Sequence, residues 1–208
     1  KVWAIMMPSE YTADISMQDS RALSETLGVR YSEFSIKPMF DQFSSSLMNK
    51  FWSHQENNEM GVTEENLQAR IRGTILMALS NKYGSIVLTT GNKSEMATGY
   101  CTLYGDMAGG FSVLKDISKT MVYRLCEYRN SLSMVIPKRV IQRAPSAELR
   151  PDQTDQDSLP PYDIIDGIIE AYVEKGKSLY EIIDMGYSKN DVQHIVNLIC
   201  KNEYKRRQ

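Results

Sequence analysis

The residues best equipped for chemistry lie in the segment TTGNKSEMATGYCTLYGD, Thr89 to Asp106. There a run of strand-type residues, Ser85 to Leu88, gives way to hydroxyls, glycines and a lone carboxylate, Glu95. At the carboxyl end of a parallel strand, Gly91 would let backbone N–H groups approach an anion, with the Thr90 hydroxyl as a further donor. Glu95, projecting from the start of the next helix, suits a hard, oxygen-seeking cation such as Mg²⁺ beside a phosphate. The same residues also suit a plain connection in which the threonines cap the helix and Glu95 complements its dipole. Motifs this short do not separate the two.

Asn66 and Arg70 stand four apart, so they share one face near a helix start. That pair suits recognition of a carboxylate or phosphate, and equally suits a solvated charged face. Lys115 and Lys119 flank the next helix start, with Ser118 and Thr120 adjacent. A lysine there opposes the helix dipole and needs either a compensating anion or free access to water. The terminal YKRRQ reads as a phosphate-grasping tail or as an ordinary basic helix end. His54 and His194 have no partner at ligand or catalytic spacing, which argues against acyl-transfer hydrolysis. The three cysteines, Cys101, Cys126 and Cys200, form no CxxC and speak against zinc or a disulfide framework. Reduced thiols in a cytoplasmic compartment are the simplest account.

The elements that must position these groups follow from pattern. With 208 residues, net charge −2 and 42% hydrophobic content, the chain can build one medium domain. Balanced charge gives no argument for nucleic acid, and no apolar run approaches the roughly 18 residues of a membrane span. The start, KVWAIMMP, lacks a signal-peptide pattern and suggests an internal piece of a longer chain. Val2 to Met7 predicts a strand closed by Pro8, and Tyr31 to Ile36 a second. Ser16 is expected to cap a helix carrying Ala22, Leu23 and Leu27, ended by Gly28. Pro38 opens a helix with Phe40, Phe43, Leu47 and Phe51 on one face. A loop is expected over Ser53 to Thr63, then a helix capped by Thr63 with Leu67, Ile71, Ile75 and Leu79 buried. Strands follow at Ser85 to Thr89 and Phe111 to Leu114, then a helix from Ser118 through Leu125. The alternation predicts an α/β domain with a parallel sheet flanked by helices and a helical C-terminal part. Residues 144–161 form the linking loop, and Ser188 with Asp191 caps a last helix over Asn190 to Lys205.

Taken in order, MMPSEYTADIS, ENLQARIRG, LTTGNKSEMATGYCTLYGDMAGGFSVLKDISKT, RAPSAELRPDQTDQDSLPPYD and EYKRRQ resemble the NAD synthetases. They look like the synthetase domain of the glutamine-dependent branch, over about Met6 to Gln208. The resemblance implies an adenine-nucleotide α-hydrolase-like, Rossmann-related fold, with residues 1–208 as one synthetase domain incomplete at both ends. It implies a ligase that activates nicotinic acid adenine dinucleotide with ATP as an acyl-adenylate, which ammonia converts to NAD⁺. Mg²⁺ serves the phosphates, and a preceding glutaminase domain supplies the ammonia. A homodimer or larger assembly is expected.

Carried over position by position, Met7, Thr90, Lys119 and Ser146 resemble ATP contacts, with Met7 beside the adenine and Lys119 reaching the phosphates. Asn66, Arg70, Glu95, Tyr100, Cys101, Thr102, Leu103, Tyr204 and Lys205 resemble the dinucleotide side, and Glu95 is also the Mg²⁺ ligand. Two departures stand out. The family's SGG-x-DS phosphate loop, expected just before the first residue, does not occur in the 208 residues, so weak ATP binding and little activity are expected of them alone. Leu103 and Gly110 replace the lysine and aspartate of the ammonia-only enzymes, which matches the glutamine-dependent branch. Two other readings stand beside this one: a GMP synthetase-like amidating ligase, and a non-catalytic fragment that binds dinucleotide.

Overall fold

A computed structural model describes residues 1–47 and 61–207. The expected Phe51 and His54 positions, and most of the loop expected from Ser53, lie outside the described residues. Strand β1 (Trp3–Met6) pairs in parallel with β2 (Arg30–Glu33), and α1 (Asp14–Thr26) crosses between them. The register sets Trp3 against Arg30 and Met6 against Glu33. Past Glu33 the alignment continues: Phe34 N–H donates to Met6 O at 2.8 Å and Ile36 N–H to Pro8 O at 3.0 Å. The second strand is therefore shorter than Tyr31 to Ile36, but its direction holds.

Helix α1 begins at Asp14 after Ala13, not at Ser16. The capping role falls to a distant side chain. Glu148 accepts from Ala13 N–H at 3.3 Å and from the Ser16 hydroxyl at 2.6 Å, so Ser16 is spent on that contact. Nor does α1 bury the expected stripe. Leu27 is half exposed, while Asp19 and Ser24 are buried and Arg139 donates to Asp19 at 2.6 Å. Gly28 does end the helix, in the left-handed region at φ 62°.

Helix α2 (Lys37–Leu47) buries Phe40 against Ile36 and Ile71, while Phe43, off that line, is exposed. Helix α3 (Val62–Tyr83) starts two residues earlier than a Thr63 cap would allow. Gly61 is the cap residue, and the Glu64 carboxylate accepts its N–H at 2.8 Å. Gly73 lets the Tyr104–Gly105 backbone lie against α3, since a Cβ there would sit 2.7 Å from Tyr104 O.

The third and fourth strands, β3 (Leu88–Thr89) and β4 (Phe111–Ser112), are parallel but only two residues long. Parallel pairing is as expected, and the described residues divide it into two ladders, β1–β2 and β3–β4. Helix α4 (Lys93–Thr98) lies between β3 and β4 in sequence, and α5 (Lys119–Leu132) follows β4. Ser118 caps α5 as expected, but the helix runs past Leu125. Helix α6 (Lys138–Gln142) precedes the loop expected over residues 144–161, which contains a single 3₁₀ turn over Asp155–Asp157.

The C-terminal helices hold the larger core. They are α7 (Tyr162–Ile169, continued by a π-helical turn Glu170–Glu174), α8 (Leu179–Asp184), α9 (Lys189–Lys201) and α10 (Glu203–Arg206). Ile165, Ile168, Ile182, Val192 and Ile195 are fully buried there, each worth about 1.5–3 kcal/mol of apolar burial. The single helix expected over Asn190 to Lys205 breaks at Asn202, whose amide turns aside to Thr98 O and Leu198 O, 2.9 Å each. Among the described residues, no helix is long and apolar enough to cross a membrane.

Candidate functional site

The short helix α4 organises the site. Asn92 caps it: its side chain accepts Glu95 N–H, and Glu95 Oε2 accepts Asn92 N–H, both at 3.0 Å. This reciprocal box fixes the Glu95 carboxylate at the first turn. Its other oxygen, Oε1, accepts from Lys119 Nζ at 2.9 Å, and the two side chains are only 20% and 18% exposed. The anion that Lys119 needs at the start of α5 is therefore Glu95. Burial alone would depress the Lys119 ammonium, but the adjacent Glu95 carboxylate outweighs that and raises it. The Lys119 ammonium therefore keeps its charge across the physiological range.

The N-terminus of α5 is already satisfied by protein atoms. Ser94 Oγ accepts Lys119 N–H at 2.9 Å, Asp166 Oδ2 accepts Thr120 N–H at 2.9 Å, and Ser118 Oγ accepts Met121 N–H at 3.4 Å. Its free amides are thus not the anion site that a bare helix start would offer. An arriving phosphate would meet the Lys119 ammonium instead. Under Lys119 lies the Tyr162 ring, 5.3 Å from Nζ to the centroid, and the Tyr162 hydroxyl donates to buried Asp155 at 2.6 Å. Burial first, then the Asp155 carboxylate, pushes the Tyr162 and Tyr100 phenols well above their ordinary range. Both stay neutral donors.

At its other end, α4 stops at Gly99, left-handed at φ 75°, and the chain turns through Tyr100, Cys101, Thr102 and Leu103. Of the expected dinucleotide-side residues, Asn66, Arg70 and Lys205 contact this turn, while Glu95 lies at the other end of α4. Asn66 accepts the Thr102 hydroxyl at 2.7 Å, Arg70 donates to Leu103 O at 3.2 Å, and Lys205 Nζ donates to Gly99 O and Cys101 O at 2.7 Å. Tyr100 packs against the C-terminal core. Tyr204, beside Lys205, is exposed. Burial pushes the Cys101 thiol up to about 11, the reverse of an activated nucleophile.

The remaining expected residues have other contacts. Thr90 is exposed just after β3, and a cleft of about 220 Å³ is lined by Thr89, Gly91, Met96, Gly110, Ser112 and Lys115. Met7 packs against the Ile36–Phe40–Ile71 cluster, and its carbonyl accepts from Arg72 at 2.9 Å. Ser146 accepts Glu148 N–H at 3.1 Å, in a segment tied to Asp155 through Pro145 O at 3.0 Å. Pattern reading overlooked Ser94, Asp155, Tyr162, Asp166 and Asn202, and took Arg206 only as part of the basic tail. The i, i+4 spacing of Tyr162 and Asp166 on a helix rich in isoleucine was the one signal available.

The sequence model of the NAD synthase family matches residues 1–208. Over its whole length the chain is 55% identical to a glutamine-dependent NAD(+) synthetase of Acinetobacter baylyi and 49% identical to that of Thermotoga maritima. It spans only 38% and 36% of those curated relatives. Among solved structures, it is similar to the glutamine-dependent NAD⁺ synthetase of Acinetobacter baumannii in complex with ADP (47% identity, TM-score 0.64, 99% of this chain and 36% of that one). It is also similar to the NMN synthetase of Francisella tularensis (29% identity, TM-score 0.80, 98% of this chain and 75% of that one).

Proposed function

The chain belongs to the NAD synthase family, and on that premise we propose that it is the ATP-using, amide-forming domain of a glutamine-dependent NAD⁺ synthetase. In this reading the nicotinate carboxylate of nicotinic acid adenine dinucleotide attacks the α-phosphorus of ATP. Pyrophosphate leaves and an acyl-adenylate forms. Ammonia then attacks the acyl carbon, AMP leaves, and the amide loses a proton to give NAD⁺. Such chemistry depends on positioning and charge neutralisation more than on a side-chain nucleophile.

One observation carries the reading: α4 joins the Glu95–Lys119 pair at one end to the Tyr100–Leu103 turn at the other. Three helical residues, Met96 to Thr98, lie between Glu95 and Gly99, a rise of about 6 Å. Lys119, with Thr90 and Ser146, serves the ATP phosphates, and Met7 the adenine. Asn66, Arg70, Tyr100 to Leu103, Tyr204 and Lys205 serve the dinucleotide, as does Glu95. The Lys205 ammonium already holds Gly99 O and Cys101 O, so it acts by shaping the turn that lines this substrate.

Glu95 fits Mg²⁺ in the manner usual for that ion, one protein carboxylate completed by phosphate oxygens and water. Among the described residues, no three His, Cys, Asp or Glu side chains cluster to hold a metal by themselves. When bound, Mg²⁺ would neutralise charge on the reacting phosphates.

We assign the SGG-x-DS phosphate cradle and the glutaminase domain to chain outside these 208 residues, which the greater length of the curated relatives supports. A strand hydrogen-bonded to both β1 and β3 would also join the two ladders into one sheet. A cytoplasmic setting accords with three free cysteines among the described residues. A homodimer or larger assembly accords with the exposed apolar line Met121, Leu125, Tyr128 and Leu132 on α5.

The test is turnover by the full-length protein given nicotinic acid adenine dinucleotide, ATP, Mg²⁺ and ammonium. NAD⁺ and AMP are expected in equal amounts. Turnover of nicotinic acid mononucleotide but not of the dinucleotide would replace this reading, as would turnover of xanthosine monophosphate alone. Dinucleotide binding with no product would leave the non-catalytic reading in place.

A further inference from the structure

Helix α7 poses a problem that its packing role does not answer. Its sequence, YDIIDGII, buries Tyr162, Ile165, Ile168 and Ile169, yet it carries a partly buried carboxylate at Asp166. None of the ion pairs among the described residues involves Asp166. Removing a carboxylate from water without a cation is costly unless hydrogen bonds replace the lost hydration. Asp166 has three of them. Oδ1 accepts the Ser94 hydroxyl in a short contact, and Oδ2 accepts both the N–H of Thr120 at 2.9 Å and its hydroxyl at 2.7 Å.

These donors belong to α4 and α5, the two helices that carry Glu95 and Lys119. Ser94 adjoins Glu95 and is fully buried. With its hydroxyl hydrogen committed to Asp166, its oxygen is free to accept Lys119 N–H at 2.9 Å. Thr120 adjoins Lys119. One carboxylate therefore sets the backbone on both sides of the Glu95–Lys119 ion pair. One turn earlier on the same face of α7, the Tyr162 ring lies under the Lys119 ammonium. Backbone and side chain of Lys119 are thus both located by α7.

We infer that Asp166 is a positioning residue: it clamps α4 to the first turn of α5 so that Lys119 is held opposite Glu95 at the phosphate-handling end of the site. The inference rests on the ligase reading for what the pair does, but the clamp itself can be measured without a ligand. A displacement of the order of 1 Å in such a pair costs about 100-fold in rate.

The experiment compares Asp166→Ala, Lys119→Ala and the double variant in the full-length protein. Its readouts are ATP–pyrophosphate exchange, calorimetric affinity for ATP and for the dinucleotide, and amide hydrogen exchange over the first turn of α5. Asp166→Ala is expected to speed amide exchange at Lys119 and Thr120 and to lower pyrophosphate exchange by about 10- to 100-fold, with dinucleotide affinity within about twofold of wild type. Added to Lys119→Ala, it should cause no further loss, because it acts through that lysine. Additive losses, equal losses for both ligands, or unchanged amide exchange would overturn the clamp. Where Asp166→Ala lowers expression, Ser94→Ala removes the α4 half of the clamp and must speed exchange at Lys119, whose N–H it leaves without its acceptor, and lower pyrophosphate exchange without further loss when added to Lys119→Ala. Unchanged ATP affinity in Lys119→Ala, with amide exchange altered by Asp166→Ala, would instead count against the ligase reading and leave the clamp standing.

Discussion

At the scale of single residues, the site is a set of side chains whose roles depend on what they face. Glu95 faces both its own helix start and Lys119, so it is at once a cap and one half of an ion pair. Glu95→Gln keeps an oxygen for the Asn92 N–H but removes the charge. It is expected to leave the fold intact while lowering ATP–pyrophosphate exchange by about 100- to 1,000-fold; near-normal exchange would remove Glu95 from the reaction. Cys101 gives a second prediction. Its thiol is raised from an ordinary 9.0 to about 11, so the folded state holds the proton more tightly than the unfolded one. The stability this contributes is complete below pH 9 and is lost as pH rises towards 11. Iodoacetamide at about pH 8 should therefore label Cys101 slowly in the native protein and readily in guanidinium, as peptide mass spectrometry would show; rapid native labelling would mean the thiol is ionised. Glu95, Lys119, Asn66 and Arg70 could be singled out in the sequence because charge and helical spacing are local properties, but spacing left a plain structural role open for each, and only the family resemblance gave them roles. Asp166 and Asp155 were not, because their partners lie 46 residues away at Thr120 and 7 residues away across a turn at Tyr162.

At the scale of elements, α4 is held from both ends. Asn92 and Glu95 close its N-terminus, and α10 closes its C-terminus in trans. Asn202 donates to Thr98 O, Arg206 to Ala97 O at 2.9 Å, and Lys205 to Gly99 O and Cys101 O. The basic tail is thus a helix cap supplied from about 100 residues downstream. Gly99 is the point of contact, since a Cβ there would meet Asn202 Cγ at 2.1 Å. Gly28 has a similar left-handed φ of 62° with nothing within 4 Å. Gly28→Ala should cost only the backbone strain, about 1–2 kcal/mol. Gly99→Ala adds overpacking and should cost between about 2 and 5 kcal/mol, with loss of dinucleotide affinity. Denaturant midpoints of the two variants check this, and equal costs would mean that α10 does not press on α4. Element existence was well read from pattern. Boundaries at Ala13, Gly61 and Asn202 were not, because Glu148, Glu64 and Thr98 O decided them through hydrogen bonds that periodicity does not encode.

At the scale of the whole molecule, the described residues place the larger apolar core in the C-terminal helices and a smaller one, Ile36, Phe40 and Ile71, beside β1 and β2. The site adjoins the larger core through Ala97 and Tyr100, and hydrogen bonds and the Glu95–Lys119 pair tie it across α3, α4 and α5. Substrates that bridge α3, α4 and α5 should therefore stabilise the full-length protein by mass action. Saturation at about 100 times Kd corresponds to about 2.7 kcal/mol, seen as a rise in Tm. ATP and dinucleotide together should exceed either alone in a thermal scan; no shift with the dinucleotide would contradict its assignment to the 100–103 turn.

By itself the sequence determined the alternation of strands and helices, the parallel pairing, the family, and the residue types at both ends of α4. These are carried by short-range periodicity and contiguous motifs, which survive without any knowledge of contacts. Only the tertiary structure decided that Lys119 answers Glu95, that Asp166 locks the two helices carrying them, and that the basic tail caps α4. Those facts depend on hydrogen bonds and charges brought within about 3 Å by packing. The stretch from Thr89 to Asp106 stood out in one dimension as a candidate site, but much of what holds it in place comes from residues 24 to 110 positions distant.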